Sequence, residues 1–266
     1  MFKKLAAIGF CAALLVACGE PPLDPTNPES IRRHYAKLEP PIKMDNDQFV
    51  SYVKANLATI ERDTTNMNMF LVCGKDYLNT PNSKGNTALS VAVNKKNPVV
   101  VKYLLNRGAD ISIKSEQLGL SPLEDAASRQ DSLSEVILRM LIDAQKQKDP
   151  DLLNIGIALH LAARYGHVKN VELLVENGAN MNAKNLEGFT PLHEAAKEGR
   201  KPVIEYLISK KVDLNPLDRD GYTPTDWAIQ YGIGTDGKGA PFPELDAILK
   251  KAGGTHTVAW KKATQR

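Results

Sequence analysis

Between residues 82 and 252 the apolar positions fall into short paired runs, and the pair recurs five times. The first run of each pair reads "GNTALSVA" at 85–92, "GLSPLEDA" at 119–126, "IGIALHLA" at 155–162, "GFTPLHEA" at 188–195 and "GYTPTDWA" at 221–228. The equivalent positions Leu89, Leu123, Leu159, Leu192 and Thr225 are separated by 34, 36, 33 and 33 residues. The second run is longer, as in "VVVKYLLNRGADISIK", "NVELLVENGANMNAK" and "VIEYLISKKVDLNPL". Apolar spacings of three and four predict helices, and the near-constant period predicts a solenoid. A single unit of this size cannot bury its apolar face alone, so stability comes from stacked neighbours.

Local chemistry agrees with helix pairs. Thr87, Thr190 and Thr223 stand where a hydroxyl caps the short first helix, and Pro191 and Pro224 fall in its first turn, where a missing amide costs nothing. Ala162-Ala163 and Ala195-Ala196 keep that helix thin for close stacking. Gly108 and Gly178 follow the Leu-Leu runs, where a helix end takes a left-handed residue. Upstream, a helix is predicted from Ser30 to the Pro40-Pro41 pair. A second runs from about Asp47 to Ile60, with Phe49, Val53, Leu57 and Ile60 on one face. Neither matches the repeat, so residues 30–81 are expected to cap its N-terminal end.

The five units resemble the ankyrin repeat, whose pattern runs G-x-T-P-L-H-x-A-A, then G-H, a Leu-Leu helix and G-A-D-V-N. The resemblance covers about residues 82–252. It implies an all-α solenoid of helix-turn-helix units joined by β-hairpin loops, over residues 82–253, with a tail at 254–266. In such repeats the histidine of T-P-L-H, here His160 and His193, ties adjacent hairpin loops by hydrogen bonds, and His167 is the G-H residue. Two units depart from the pattern. The second ends in "DAQKQKDPDLLN", which predicts an irregular, exposed connection between Gln145 and Asn154. The fifth carries Thr225 and Asp226 in place of Leu and His, inserts "GIGTDGKGAPFP", and takes "ELDAILKKAGG" as its second helix, with Lys250 and Lys251 suiting the helix dipole.

The N-terminus predicts a compartment. Lys3 and Lys4 precede the apolar run Leu5 to Val16, which has the length of a secretory signal and is too short to span a bilayer. Leu15-Val16-Ala17-Cys18 resembles the bacterial lipobox, which implies cleavage after residue 17 and acylation, including palmitate, at Cys18. Gly19 in place of Asp implies sorting to the outer membrane, with the folded part in the periplasm. Residues 18–29, rich in proline, are expected to form an extended tether. Without Lys3 and Lys4, 32 basic residues face 31 acidic ones, a net charge of +1, which offers nucleic acid no concentrated basic face. Cys73 would be the remaining thiol, and its setting "MFLVCG" suggests a buried small hydrophobe.

Candidate chemistry is sparse. Gly232 to Lys238 spells G-x-x-x-x-G-K, but Gly239 stands where a P-loop needs a hydroxyl and Pro241 follows, so a surface loop is expected. The histidines lack the spacing of a metal helix and no cysteine pair accompanies them. No enzyme activity, cofactor or metal is expected. Function then falls to the surface that stacking creates. By the resemblance, hairpin tips and the outer side of each first helix form a concave face. Position by position it holds Lys84, Asn86, Leu118, Leu120, Arg129, Arg164, Tyr165, Glu187, Phe189, Lys197, Glu198, Arg219, Tyr222 and Tyr231. Tyr and Arg are enriched among binding hot spots, where truncation costs about 2 kcal/mol or more.

The expected role is docking of one protein by a chain that is a monomer when free. Ankyrin lipoproteins of this build resemble immunity proteins that block antibacterial toxins delivered into the periplasm, type VI phospholipase effectors among them. The alternative is a scaffold or chaperone for a resident periplasmic enzyme, for example in oxidative-stress protection.

Overall fold

The computed structural model describes residues 46–55, 78–116, 118–148, 155–230 and 242–257. Among them are eleven helices and no strand. Helix α1 (Asn46–Ala55) precedes five helix pairs: α2 (Ala88–Asn94) with α3 (Pro98–Asn106), α4 (Pro122–Ala127) with α5 (Ser132–Lys148), α6 (Ile155–Tyr165) with α7 (Val168–Glu176), α8 (Pro191–Lys197) with α9 (Lys201–Ser209), and α10 (Pro224–Gln230) with α11 (Pro243–Ala252). The first helices of the pairs pack side by side in one layer and the second helices in another. Helix α1 packs on α2 at the N-terminal end, with Val50 and Val53 buried. Phe49's side chain, Leu57 and Ile60, the proposed Ser30 helix, Cys18, Cys73 and the Gly232–Lys238 motif lie outside the described residues.

Caps define the first helices α2, α4, α8 and α10. The Thr87 hydroxyl accepts the Ser90 amide at 3.1 Å, and Ser121 and Thr190 cap α4 and α8 in the same way. The residue three positions on returns the bond. Glu124 accepts the Ser121 amide (2.8 Å), His193 Nδ1 the Thr190 amide (3.1 Å) and Asp226 the Thr223 amide (2.9 Å). Three chemically different side chains thus close the same capping box. The departure at Asp226 keeps the cap while losing the imidazole. Asp131 caps α5 by accepting the Ser134 amide and pairs with Lys96 at 2.8 Å. Burial works to raise its pKa, but Lys96 and the Ser134 amide and hydroxyl outweigh this and hold it at about 2.

The alanine pairs at 126–127, 162–163 and 195–196 are fully buried. Their small size lets successive first helices pack closely. The second layer buries Leu104, Ile137, Leu141, Leu174 and Leu207. Gly108 and Gly178 sit at φ +85° and +93°, in the left-handed region, as their place after the helix requires. Lys211 holds the equivalent place at φ +60°.

One expectation about the second unit is corrected. Helix α5 continues to Lys148, and Gln145 is buried. Ile137, Leu138, Leu141 and Ile142 set an apolar stripe that keeps the helix on the core past the end of the repeat pattern. Residues 149–154 lie outside the described residues.

Candidate protein-docking groove

The hairpin tips are tight turns held by side chains. Asn82, Asn185 and Asp218 each accept the amides two and four residues ahead, at 2.9–3.0 Å. Single backbone bonds such as Asn185 N–H to Phe189 O (2.8 Å) close them without a β ladder. Neighbouring units are then stapled to one another. His160 Nε2 lies 2.9 Å from the Phe189 carbonyl and His193 Nε2 lies 3.1 Å from the Tyr222 carbonyl. These are the loop-to-loop ties that the T-P-L-H position implied. On the other side of the helix pair, His167 Nε2 meets the Ser128 carbonyl at 2.9 Å. Asn170 donates to Ala127 and Arg129 carbonyls at 3.0 and 2.8 Å, filling helix-end acceptors that would otherwise be buried and unmet. Burial pushes the His193 and His167 pKa values down, with the Tyr222 and Ser128 carbonyls working against it.

The structure sorts the predicted stripe into three groups. Lys84, Leu118, Arg164, Tyr165, Glu187 and Arg219 are exposed, with Leu118 at 51% and Tyr165 at 48%. Asn86, Leu120, Arg129, Lys197, Glu198 and Tyr222 are half-buried. Arg129 pairs with Asp125 at 2.8 Å, and Arg164 approaches Glu198 at 3.6 Å. Phe189 is only 5% exposed, which corrects its placement on the binding face. Its ring lies against His193 (centroids 5.5 Å) and edge-on to Trp227 (5.0 Å), with Tyr222 also edge-on to Trp227 at 6.1 Å. The residue after the tip glycine folds inward, so a large apolar ring there joins the inter-unit core. Lys197 then places its ammonium 5.2 Å from both the Phe189 and Trp227 rings. Tyr231 lies outside the described residues; among the described members of the stripe the exposed aromatic surface comes from Tyr165 and the edge of Tyr222.

Two groups escaped the sequence reading. Leu186, at the tip of the fourth unit, is 84% exposed, and Leu217 at the next tip is also exposed. An apolar residue at a turn position was the only signal available. Val50, Ser51, Asp47 and Lys54 of α1 are the second group. With the tips around 82–86 and 115–122, they enclose a hollow of about 310 Å³. It gathers Lys84, Asn86, Leu118 and Leu120 at one place.

The C-terminal end is closed by polar contacts. His256 Nδ1 bonds buried Asp226 at 2.9 Å. Its Nε2 lies 3.0 Å from Asp246, at ion-pair distance but without hydrogen-bond alignment. Thr255 accepts from the Thr223 hydroxyl through its carbonyl and bonds Asn215, so residues 254–257 pack on the fifth unit. Among the described residues no group of three His, Cys, Asp or Glu side chains could hold a metal ion, and no helix is long and apolar enough to cross a membrane.

Comparisons with known proteins agree with this geometry. Family models described as ankyrin repeats match residues 77–132 and 159–235. A human protein, ankyrin repeat and SOCS box protein 3, is 34% identical over 109 residues, which is 40% of this chain and 20% of that protein. The mouse B-cell lymphoma 3 protein homolog is 38% identical over 119 residues, 45% of this chain and 26% of that protein. The chain therefore spans about a fifth to a quarter of the length of these curated relatives. Among solved structures, an ankyrin repeat domain from Acinetobacter baumannii AYE is 25% identical with a TM-score of 0.57, covering 77% of this chain and 100% of that one. The ankyrin repeat protein EF0377, at 24% identity and a TM-score of 0.58, covers 79% of this chain and 99% of that one and shares the fold. Ankyrin repeats are typically non-enzymatic scaffolds that bind protein partners, and this chain belongs to the ankyrin-repeat family.

Proposed function

We propose that this chain is a lipid-anchored periplasmic immunity protein that neutralises an antibacterial toxin by occupying it with the concave face of its repeats. The observation that carries the reading is a face whose side chains serve no core. Arg164, Tyr165, Arg219, Leu118 and Leu186 stand exposed along the side lined by first helices and hairpin tips. The repeats supply a preformed surface, so binding spends little free energy on ordering the binder. Leu15-Val16-Ala17-Cys18 supports the anchor, which would raise the local concentration of inhibitor where a membrane-active toxin works. A phospholipase delivered between competing bacteria is the partner class that this placement suits.

The test pairs a survival assay with an anchor assay. Cells lacking the gene are mixed with a toxin-delivering competitor, and survival is restored by the wild-type gene or by Arg164→Glu/Tyr165→Ala. Restoration by the wild type alone, with the variant folded and equally abundant, supports the reading. Survival unaffected by deletion, together with co-purification of a resident enzyme, transfers the groove to the scaffold role. Labelled palmitate incorporated by the wild type and lost in Cys18→Ser supports the anchor, and equal labelling of both removes it.

A further inference from the structure

We propose that the N-terminal end of the groove takes an acidic peptide segment of the partner, anchored by an apolar side chain. This rests on the protein-docking reading and adds the chemistry of what is docked. The hollow of about 310 Å³ between α1 and the tips of the first two units has room for roughly ten waters' worth of liquid volume, enough for a few side chains. Val91, Leu118 and Leu120 supply apolar lining over the buried Val50, with Leu118 half open to solvent.

Charge selects the occupant. Lys54, Lys84 and Lys95 line the hollow, and no ion pair is found for any of them among the described residues. The two carboxylates present are already engaged. Asp47 accepts the Ser83 amide at 2.6 Å, and its hydrogen bonds to Ser83 hold its pKa below the usual range, with Lys84 adding to the effect. Asp125 receives both Nε and Nη2 of Arg129, at 3.0 and 2.8 Å. Lys84 faces the Asp47 carboxylate and Asp125 is matched by Arg129, so among the described residues Lys54 and Lys95 are left as the lining charges without a carboxylate, beside apolar surface. An acidic peptide with a leucine-like anchor satisfies both features at once. A bare polyanion would leave the apolar lining uncovered.

The probe is a fluorescein-labelled peptide, Gly-Glu-Asp-Leu-Leu-Asp-Glu-Gly, titrated by anisotropy with the full chain in dodecyl-maltoside micelles. Two analogues carry Gln and Asn for the acids, or Ser for the leucines. Exposed ion pairs contribute a factor of about two to five each, so Lys84→Glu/Lys95→Glu is expected to weaken binding by about 10-fold or more. The same change is expected for either analogue, while Arg219→Glu at the far end leaves binding within about twofold. Binding should also weaken from 50 to 300 mM salt. Equal affinity for the neutral analogue, loss only in Arg219→Glu, or no saturable binding up to 1 mM overturns the inference. Displacement of the peptide by an oligonucleotide or by phosphatidylglycerol vesicles at equal charge concentration overturns it as well. Failure here is separable from failure of the proposed function. Toxin protection retained by Lys84→Glu/Lys95→Glu but lost by Arg164→Glu/Tyr165→Ala would keep the immunity role and sink the acidic-segment assignment.

Discussion

Replacing His193 by leucine tests whether the loop-to-loop staples carry stability. The side chain is fully buried. The Thr190 amide is a donor, so Nδ1 accepts from it at 3.1 Å and Nε2–H donates to the Tyr222 carbonyl at 3.1 Å. Leucine fills much of the volume but leaves that amide and that carbonyl buried and unpaired, at about 1–3 kcal/mol each. It also loses the ring's stack on Phe189, an aromatic contact that contributes about 0.5–1.5 kcal/mol. Leucine's own burial returns about 1–2 kcal/mol. At the middle of each range the net loss is about 3–4 kcal/mol, which for a domain of this size lowers Tm by about 6–16 °C. The damage is local to the junction of the fourth and fifth units, because each unit is stabilised by its neighbours. Thermal denaturation followed by circular dichroism reads the first effect. Hydrogen exchange reads the second, with faster exchange in α10 and α11 and unchanged protection in α2 and α3. A Tm within about 2 °C of wild type, or a uniform rise in exchange, would refute the staple argument.

Three further outcomes follow from the same contacts. Burial lowers the pKa of His193 and His167, so the unfolded chain takes up their protons first; stability is full above the unfolded value of about 6.5 and is lost as pH falls through it toward the folded values. The urea midpoint should therefore drop between pH 7.5 and 5.5, and less steeply in His193→Leu. Lys211→Gly relieves a left-handed residue that carries a Cβ, and a gain of about 0.5–1 kcal/mol in urea unfolding is expected, where a loss would contradict the backbone reading. Asn170→Ala strands the Ala127 and Arg129 carbonyls and should cost about 1–3 kcal/mol by the same measurement, with a cost below 0.5 kcal/mol counting against it.

What sequence alone determined is what depends on residues close together in the chain. Caps at Thr87, Thr190 and Thr223, left-handed glycines at 108 and 178, and thin alanine faces are set within one or two helical turns. The five-fold period then leaves stacking as the way to bury their apolar faces. The His160 and His193 staples were legible through the resemblance to ankyrin repeats, whose T-P-L-H histidine implies them. The binding face was less legible, because exposure depends on packing between units. Phe189 sits at a tip, yet it is covered by Trp227 from the next unit, 38 positions on. Leu186, three positions before it, meets no such cover and stands in solvent. The hollow that brings Lys54 to Lys84 and the closure of His256 on Asp226 each join segments 30 residues apart. No local pattern encodes these meetings. Only the stacking of the units brings their charges together, and that tertiary step decided which surface is free to bind.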